Sequence, residues 1–196
     1  MPSRRPAIPR PARERVLSEF CHRCAICGGE KPQVHHIDEN PTNNDLLNLL
    51  PLCPNCHLTD QHNPTAPMDP AKLALFRKFK DPTILSPQFE PLFARFRFLN
   101  NRDESIAADT IGDCIEELVA FVRSLSMGQF YGDKIASLLK MPMQFGVLVA
   151  QLPEPEYQRH RAEHNAECLA VLDSGREEVL RLVIELLRYQ PWSRSK

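Results

Sequence analysis

The sequence lacks the features that mark membrane, secreted and repeat proteins. No apolar run among its 196 residues approaches the ~20 that cross a bilayer. The N-terminus is basic and rich in proline without an apolar segment behind it, which argues against a secretory signal. No internal repeat is present. With 42% hydrophobic and 25% charged residues, the chain is expected to form one compact globular domain or two small ones, with no membrane partner.

A large excess of either charge is also missing, since the formal net charge is −1. A balance near zero argues against a nucleic-acid partner, but the distribution along the chain argues for one. Residues 1–102 carry 14 basic against 10 acidic residues, whereas residues 103–196 carry 10 against 15. This asymmetry has the sign expected of a front half that contacts phosphate and a rear half with another role.

The chain has seven cysteines, and four of them are spaced like metal ligands. Two Cys-x-x-Cys pairs lie about 25 residues apart and would supply the four thiolates of a tetrahedral zinc site. The four residues are Cys24, Cys27, Cys53 and Cys56. Zinc is favoured over disulfides here, so a reducing, cytoplasmic setting is expected.

Cys21 complicates the first pair, because it would also form a Cys-x-x-Cys pair with Cys24. Gly28 and Gly29 directly follow Cys27 and provide the positive φ that a knuckle turn needs. The pair that ends at Cys27 is therefore preferred, and Cys21 is expected to be a buried or idle thiol.

Histidines lie between and after the two pairs. Because four thiolates complete a zinc site, His35, His36 and His57 are free for other chemistry. His35 and His36 are adjacent in a predicted strand, where neighbouring side chains point to opposite faces. One of them can therefore bind a metal while the other faces water or substrate.

This segment resembles an HNH endonuclease, the zinc-knuckle branch of the ββα-metal nucleases, over residues 13–62. The His, Asn and His of that family fall on His36, Asn48 and His57. The resemblance implies a structural Zn²⁺ on the four cysteines and a catalytic divalent metal, Mg²⁺ or a transition metal, on His35 and His57. It also implies that His36 is the general base and that DNA is cleaved, with double-stranded DNA expected.

The role of Asn48 stays open between holding the loop by hydrogen bonds and binding the metal. A third metal ligand is also open. Where some family members have a further histidine on the helix, this chain has Gln61, followed by His62. Asp38 and Asp45 lie near enough in sequence to support the histidines, although capping of the loop is the simpler interpretation.

These patterns predict an α+β fold in which a small zinc-stapled ββα module precedes a mostly α-helical domain. The strands are expected at 34–37 and 46–52, and a helix is expected to begin at Pro54. A short helix is expected at 13–20, and another is expected to begin with Asp69 as its N-cap and Pro70 as its first residue. Apolar residues at helical spacing predict a further helix within 105–125.

The predicted segments are a flexible basic arm at 1–12, the nuclease module at 13–62, a linker with short helices at 63–102 and the helical domain at 103–196. A long helix is expected to end near Tyr189, with a possible break at 173–175.

Two further patterns allow a functional interpretation beside a structural one. Phenylalanines alternate with arginines at 92–99, which suits either stacking on nucleic acid or, preferably, packing in a core. Residues 160–164 have the His-x-x-Glu-His form of a metallopeptidase group, but a solvated helix face is the preferred interpretation.

A second functional hypothesis is a non-catalytic zinc-stabilised module that binds DNA or protein. In either case the acidic helical domain is expected to form a homodimer or to bind a regulatory protein.

Overall fold

The computed structural model describes residues 6–57, 68–86, 89–100, 110–141 and 152–190. This part of the chain is an α+β fold that is mostly helical and contains a two-stranded antiparallel sheet. The chain divides into two compact units, Met1–Leu85 and Ser86–Lys196. Among the helices of the described residues, none combines the length and apolar character needed to cross a membrane.

In the part of the first unit that the structure describes, two helices accompany both strands. In chain order they are α1 (Arg10–Glu19), β1 (Gln33–His36), β2 (Leu49–Leu52) and α2 (Pro70–Phe79). Short 3₁₀ turns at Leu46–Asn48 and Pro82–Leu85 precede β2 and follow α2. Residues 54–57 form a helical turn, and the rest of the helix expected there lies outside the described residues.

The hairpin contributes a buried strand to the core of this unit, and its other strand carries the predicted site residues His35 and His36. His35 pairs with Leu50 and His36 with Leu49 across the antiparallel strands. Every residue of β2 is buried, and α1 packs on both strands through the fully buried Val16. The antiparallel pairing confirms the predicted hairpin. A two-stranded sheet needs packing against another element to be stable, and α1 provides it.

The second strand begins later than its apolar sequence suggested. Asp45 accepts a hydrogen bond from the backbone N–H of Leu47 at 2.8 Å, and this cap starts a 3₁₀ turn. Leu46–Asn48 therefore forms the turn, and pairing with β1 begins only at Leu49. The local cap outweighs the strand preference of these residues.

Helix α1 begins three residues earlier than the predicted start at Arg13. Pro9 is its N-cap and Pro11 lies in its first turn, where a missing backbone N–H costs nothing. Of the segment predicted as a flexible arm, residues 1–5 lie outside the described residues.

Helix α2 begins as its sequence predicts and carries a buried arginine. The Asp69 side chain accepts a hydrogen bond from the Ala71 N–H at 2.8 Å, and Pro70 is the first helical residue. Arg77 is only 2% exposed, so it does not belong to the surface that could contact phosphate. Its guanidinium instead binds both carboxylate oxygens of Glu19, at 3.0 and 2.6 Å.

The second unit consists of packed helices. They are α3 (Glu90–Asn100), α4 (Ile111–Arg123), α5 (Gly128–Leu138) and α6 (Glu154–Arg188). Helix α4 packs against α3, α5 and α6, and its predicted apolar stripe forms the centre of the core. The apolar face of α4 is thus buried in the helical bundle.

Helix α6 continues without a break, so the predicted interruption at 173–175 is wrong. Ser174 donates its hydroxyl to the carbonyl of Val171 at 2.9 Å instead of capping a new helix. Leu172 and Val179, on either side of the segment, are both buried. Packing on both sides keeps Gly175 in the helix despite its low helical propensity.

The phenylalanine and arginine segment packs in the core, as the preferred interpretation predicted. Phe93 and Phe96 are buried with their ring centroids 5.5 Å apart in an edge-to-face arrangement. Arg95 lies over the ring of Phe121 at 4.1 Å and pairs with Glu117 at 3.3 Å. These contacts are made within the unit itself.

The His-x-x-Glu-His segment is not a uniformly solvated helix face. His160 is partly exposed near Glu163, whereas His164 and Asn165 are buried. Asn165 accepts a hydrogen bond from the backbone N–H of Gly112 in α4 at 3.0 Å. The interpretation as a solvated face is therefore wrong for His164, which packs at a contact between helices.

Candidate functional site

The four cysteines of the two predicted pairs meet in one cluster beside the hairpin. Their sulfur atoms all lie within 4.8 Å of one another. The Sγ atoms of Cys27 and Cys53 are 3.6 Å apart, close to the roughly 3.8 Å expected for two thiolates on one tetrahedral Zn²⁺. A disulfide would bring two sulfurs to about 2 Å. The cluster could therefore hold a zinc ion.

Two glycines shape the first half of the cluster in different ways. Gly28 has φ +72° and donates its N–H to the carbonyl of Cys24 at 2.9 Å, so it closes the turn in the left-handed region. Gly29 donates its N–H to the Cys27 sulfur at 3.4 Å, and a Cβ there would lie 3.2 Å from that sulfur. Gly28 thus allows the left-handed backbone conformation of the turn, and Gly29 leaves space for the sulfur atoms.

The backbone joins both cysteine pairs to the rest of the site. The N–H of Ala25 donates to the carbonyl of Pro51 in β2 at 2.8 Å. The N–H of His57 donates to the carbonyl of Cys53 at 2.9 Å, which makes the second pair the start of the helical turn. An ion held by the cysteines would consequently fix the position of His57 relative to the hairpin.

The surroundings of the sulfurs separate their acidities. The backbone N–H of Cys56 and the neighbouring thiols lower the pKa of Cys53 to about 7, although burial opposes the change. Burial and the other thiols raise the pKa of Cys56. Metal ligation requires the thiolate form, so Cys53 is the cysteine best prepared to begin it.

Cys21 stays apart from this cluster. It is exposed, with φ +54°, in the turn that follows α1. The choice of Cys24 and Cys27 as the first pair therefore agrees with the observed group. Of the two alternatives expected for Cys21, buried or idle, the exposed position excludes the first.

The three predicted histidines line one open cavity of about 260 Å³. Its wall also includes Pro6 and Ile8, from the segment that leads into α1. No sequence signal identifies these two residues, because no local pattern relates the N-terminal segment to the hairpin. The cavity is large enough for a small group such as a phosphate with water.

His35 and His57 approach each other closely in this cavity. His35 Nδ1 and His57 Nε2 are 3.0 Å apart, and the rings meet edge to face with centroids at 4.8 Å. Two imidazole nitrogens that each bind a transition metal at about 2.1 Å lie roughly 3 to 3.4 Å apart. The separation of 3.0 Å is that of a hydrogen bond between the two rings, and it also falls within the range for two ligands of one metal ion.

A third protein ligand does not join this pair within the described residues, where the four cysteines form the only group of three or more metal-type side chains. Gln61 and His62, considered above for that role, lie outside the described residues.

Asn48 uses its side-chain amide to hold the loop between the strands. Its oxygen accepts a hydrogen bond from the Asp38 N–H at 3.1 Å. Its nitrogen donates to the carbonyl of Asn43 at 2.9 Å and to the carboxylate of Asp38 at 2.8 Å. Of the two roles left open by the sequence, these contacts favour holding the loop.

The two loop aspartates act as caps, as their simpler interpretation predicted. Asp38 accepts hydrogen bonds from the Asn40 N–H at 2.9 Å and the Asn43 amide at 2.7 Å. Partial burial opposes a lower pKa, but the amides of Asn43 and Asn48 and the Asn40 N–H outweigh it and lower the pKa of Asp38. A rigid, ionised turn thus adjoins the end of β1.

Asn44 contacts a predicted site residue but was missed as a site residue by sequence reasoning. Its Oδ1 lies 3.3 Å from Nε2 of His36. The sequence placed Asn44 in a loop rich in turn residues, and such a composition does not distinguish a side chain that faces a histidine from one that caps the turn.

Comparison of the chain with protein-family models, with curated proteins and with solved structures finds no match.

Proposed function

We propose that the first unit is a metal-dependent endonuclease of the HNH type, which hydrolyses phosphodiester bonds in DNA. The observation that carries this proposal is the convergence of His35, His36 and His57 on one cavity, with nitrogens of His35 and His57 3.0 Å apart. Three histidines that line one open cavity, in the same unit as a zinc-type cluster, suit hydrolysis better than a purely structural role.

Each residue has a separate task in the proposed reaction. His36 removes a proton from a water molecule, whose oxygen attacks phosphorus while the bond to the leaving oxygen breaks. His35 and His57 would hold a divalent cation, which supplies positive charge beside the scissile phosphate when bound. Asn48 keeps the loop that follows His36 in place. The cysteine cluster keeps His57 beside the hairpin.

A supercoiled-plasmid assay with Mg²⁺, Mn²⁺ or Zn²⁺, with and without chelator, tests the proposal. His36→Asn should lower the cleavage rate roughly 100-fold or more, because a general base typically contributes that much. His22→Asn is a matched control, since His22 is exposed and its positive φ suits asparagine.

Cleavage by His36→Asn at the wild-type rate would refute the role of His36. No cleavage by wild-type protein with any of these metals would refute the nuclease proposal and favour the second candidate.

The second candidate is a non-catalytic zinc-stabilised module whose helical unit binds a protein partner or a second copy of the chain. Met127, Phe130 and Tyr189 favour it, because each side chain is more than half exposed. Light scattering after size exclusion tests self-association, and a strict monomer at high concentration would count against the second-copy form.

A further inference from the structure

We propose that Asn44 is a positioning residue that selects which nitrogen of His36 accepts the proton. The inference rests on the proposed function for the role of His36, but its geometric part concerns two side chains alone. Asn44 lies in the loop between β1 and β2, with its Oδ1 3.3 Å from Nε2 of His36.

The orientation of the Asn44 amide follows from its second contact. Its Nδ2 lies 3.4 Å from the carbonyl oxygen of Thr42. A carbonyl oxygen can only accept a hydrogen bond, so the amide nitrogen faces Thr42 and the amide oxygen faces His36. The amide oxygen is itself only an acceptor, and therefore Nε2 of His36 is the donor.

This donor role determines the tautomer of His36. A neutral imidazole carries one proton, and the hydrogen bond made by one nitrogen decides which of the two carries it. With the proton on Nε2, the lone pair is on Nδ1. His36 contributes to the wall of the cavity that also contains His35 and His57, so Nδ1 is the nitrogen that takes the proton from water.

Asn40 lies in the same loop and makes a separate set of contacts. Its Oδ1 accepts hydrogen bonds from the N–H and the hydroxyl of Thr42, at 3.1 and 2.7 Å. These contacts do not include the Thr42 carbonyl, which faces Asn44. Asn40→Ala therefore removes contacts from the loop but none from Asn44 or His36, which makes it a control for general damage to the loop.

The first measurement is made on the protein without the divalent cation used for cleavage, at about pH 9, above the titration range of imidazole side chains. Long-range ¹H–¹⁵N correlation spectra identify the tautomer, with the His36 signals assigned by their loss in His36→Asn. Wild-type protein should carry the proton on Nε2, protected from exchange with water. Asn44→Ala should lose that protection, whereas Asn44→Asp, which keeps an acceptor, and Asn40→Ala should retain it.

The second measurement is the plasmid cleavage rate over a range of DNA concentrations that extends to saturation. Asn44→Ala should lower kcat roughly 10- to 100-fold, as removal of a group that orients a site histidine does, with little change in KM. Asn44→Asp should restore most of the loss. Asn40→Ala should retain most of kcat because its loop contacts do not reach the imidazole directly.

The outcomes separate this inference from the proposed function. A proton on Nδ1 of His36 in the wild type, or equal loss of ring-proton protection in Asn44→Ala and Asn40→Ala, would overturn the positioning role. Equal loss of kcat in those two variants would overturn it as well. If wild-type protein shows the protected Nε2 proton but cuts no DNA, the proposed function fails while the assignment of the tautomer stands.

Discussion

A single buried guanidinium links three separate pieces of the first unit. Arg77 donates from Nε to the carbonyls of Leu46 and Leu49, at 3.1 and 2.8 Å, while its terminal nitrogens bind Glu19. The residue therefore joins α2 to the end of α1 and to the start of β2. Because the side chain is buried, its hydrogen bond to the Leu49 carbonyl replaces one to water, whereas Glu19 also pairs with Lys80 at 2.6 Å.

Replacement of Arg77 by methionine should destabilise the first unit by about 1 to 3 kcal/mol, because it removes a donor from two carbonyls and leaves Glu19 with Lys80 alone. Lys78→Met is the matched control, since Lys78 is exposed on the same helix and the charge change is the same. That variant should differ from wild type by about 0.5 kcal/mol or less. Urea unfolding of both variants provides the measurement, and equal stabilities would show that the buried pair is energetically neutral.

The same pair predicts a pH dependence. Hydrogen bonds from Arg77 lower the pKa of Glu19 from 4.5 to about 2, with a further contribution from Lys80 and some opposition from burial. A carboxylate whose pKa is lowered by folding stabilises the native state above its unfolded pKa, and this contribution disappears as the pH falls towards the folded pKa. The contribution of Glu19 is therefore complete above about pH 4.5 and lost towards about pH 2.

Glu19→Gln should be less stable than wild type by about 1 to 2 kcal/mol at neutral pH, after allowance for the solvent that reaches Glu19. The difference between the two proteins should shrink as the pH falls below 4.5, as measured by urea unfolding at each pH. Both proteins keep the four cysteines, so loss of bound metal at low pH affects them equally. A difference that stays constant with pH would contradict the lowered pKa.

At the cysteine cluster, Cys53→Ser should reduce the zinc content from one ion per chain to nearly none. Structural zinc sites contribute on the order of 10 kcal/mol of apparent binding free energy to folding, so the first unit should unfold with this loss. Cys21→Ser should keep both zinc and stability, because Cys21 is exposed and outside the cluster. Metal analysis and thermal unfolding test both variants, and zinc retained by Cys53→Ser would exclude this ligand set.

At the scale of the elements, local signals predicted structure wherever the decisive contacts are close in sequence. The cap of α2 by Asp69 and the turn at Gly28 are of this kind. The start of β2 was misplaced because the cap by Asp45 competes with strand pairing, and only the folded hairpin decides between them. The continuity of α6 depends on burial against other helices, which the pattern at 173–175 does not contain.

Two glycines in the helical unit should respond to alanine in opposite directions. A Cβ on Gly112 in α4 would lie 2.6 Å from the buried Asn165 side chain, so Gly112→Ala should destabilise the unit by about 1 to 3 kcal/mol. A Cβ on Gly175 in α6 would lie 3.6 Å or more from its neighbours. Gly175→Ala should therefore stabilise it by about 0.5 to 1 kcal/mol, the gain in helix propensity.

Thermal unfolding followed by circular dichroism distinguishes these two glycine variants. Stabilisation of the unit by Gly112→Ala would show that close packing does not require glycine at this position. Destabilisation by Gly175→Ala would contradict the predicted gain in helix propensity.

At the scale of the whole chain, the sequence predicted which cysteines form the cluster but not the long-range contacts that hold the surrounding structure. The cysteines and histidines stand out because metal chemistry restricts residue type and spacing. The pairing of Glu19 with Arg77 spans 58 residues, and the contact of Gly112 with Asn165 spans 53. Neither has a local signal, since an arginine destined for burial has the same sequence context as one on a surface.

The cysteine cluster, both strands and the histidine cavity all lie within Met1–Leu85, whereas Ser86–Lys196 has a core built from its own helices. If the cluster holds zinc, its removal by a chelator should therefore unfold the first unit and leave the helices of the second unit intact. Hydrogen exchange read by mass spectrometry should show lost protection in α1, β1 and β2, while α4 and α6 keep theirs.

Cys53→Ser without chelator should reproduce that exchange pattern, and the chelator should then have no additional effect because the ion is already absent. Simultaneous loss of protection in α1 and in α4 would mean that the two units unfold as one cooperative body. If each unit has its own core, protection should be lost in α1 and kept in α4. An ion bound by thiolates in one core stabilises the other core only where the two cores pack against each other.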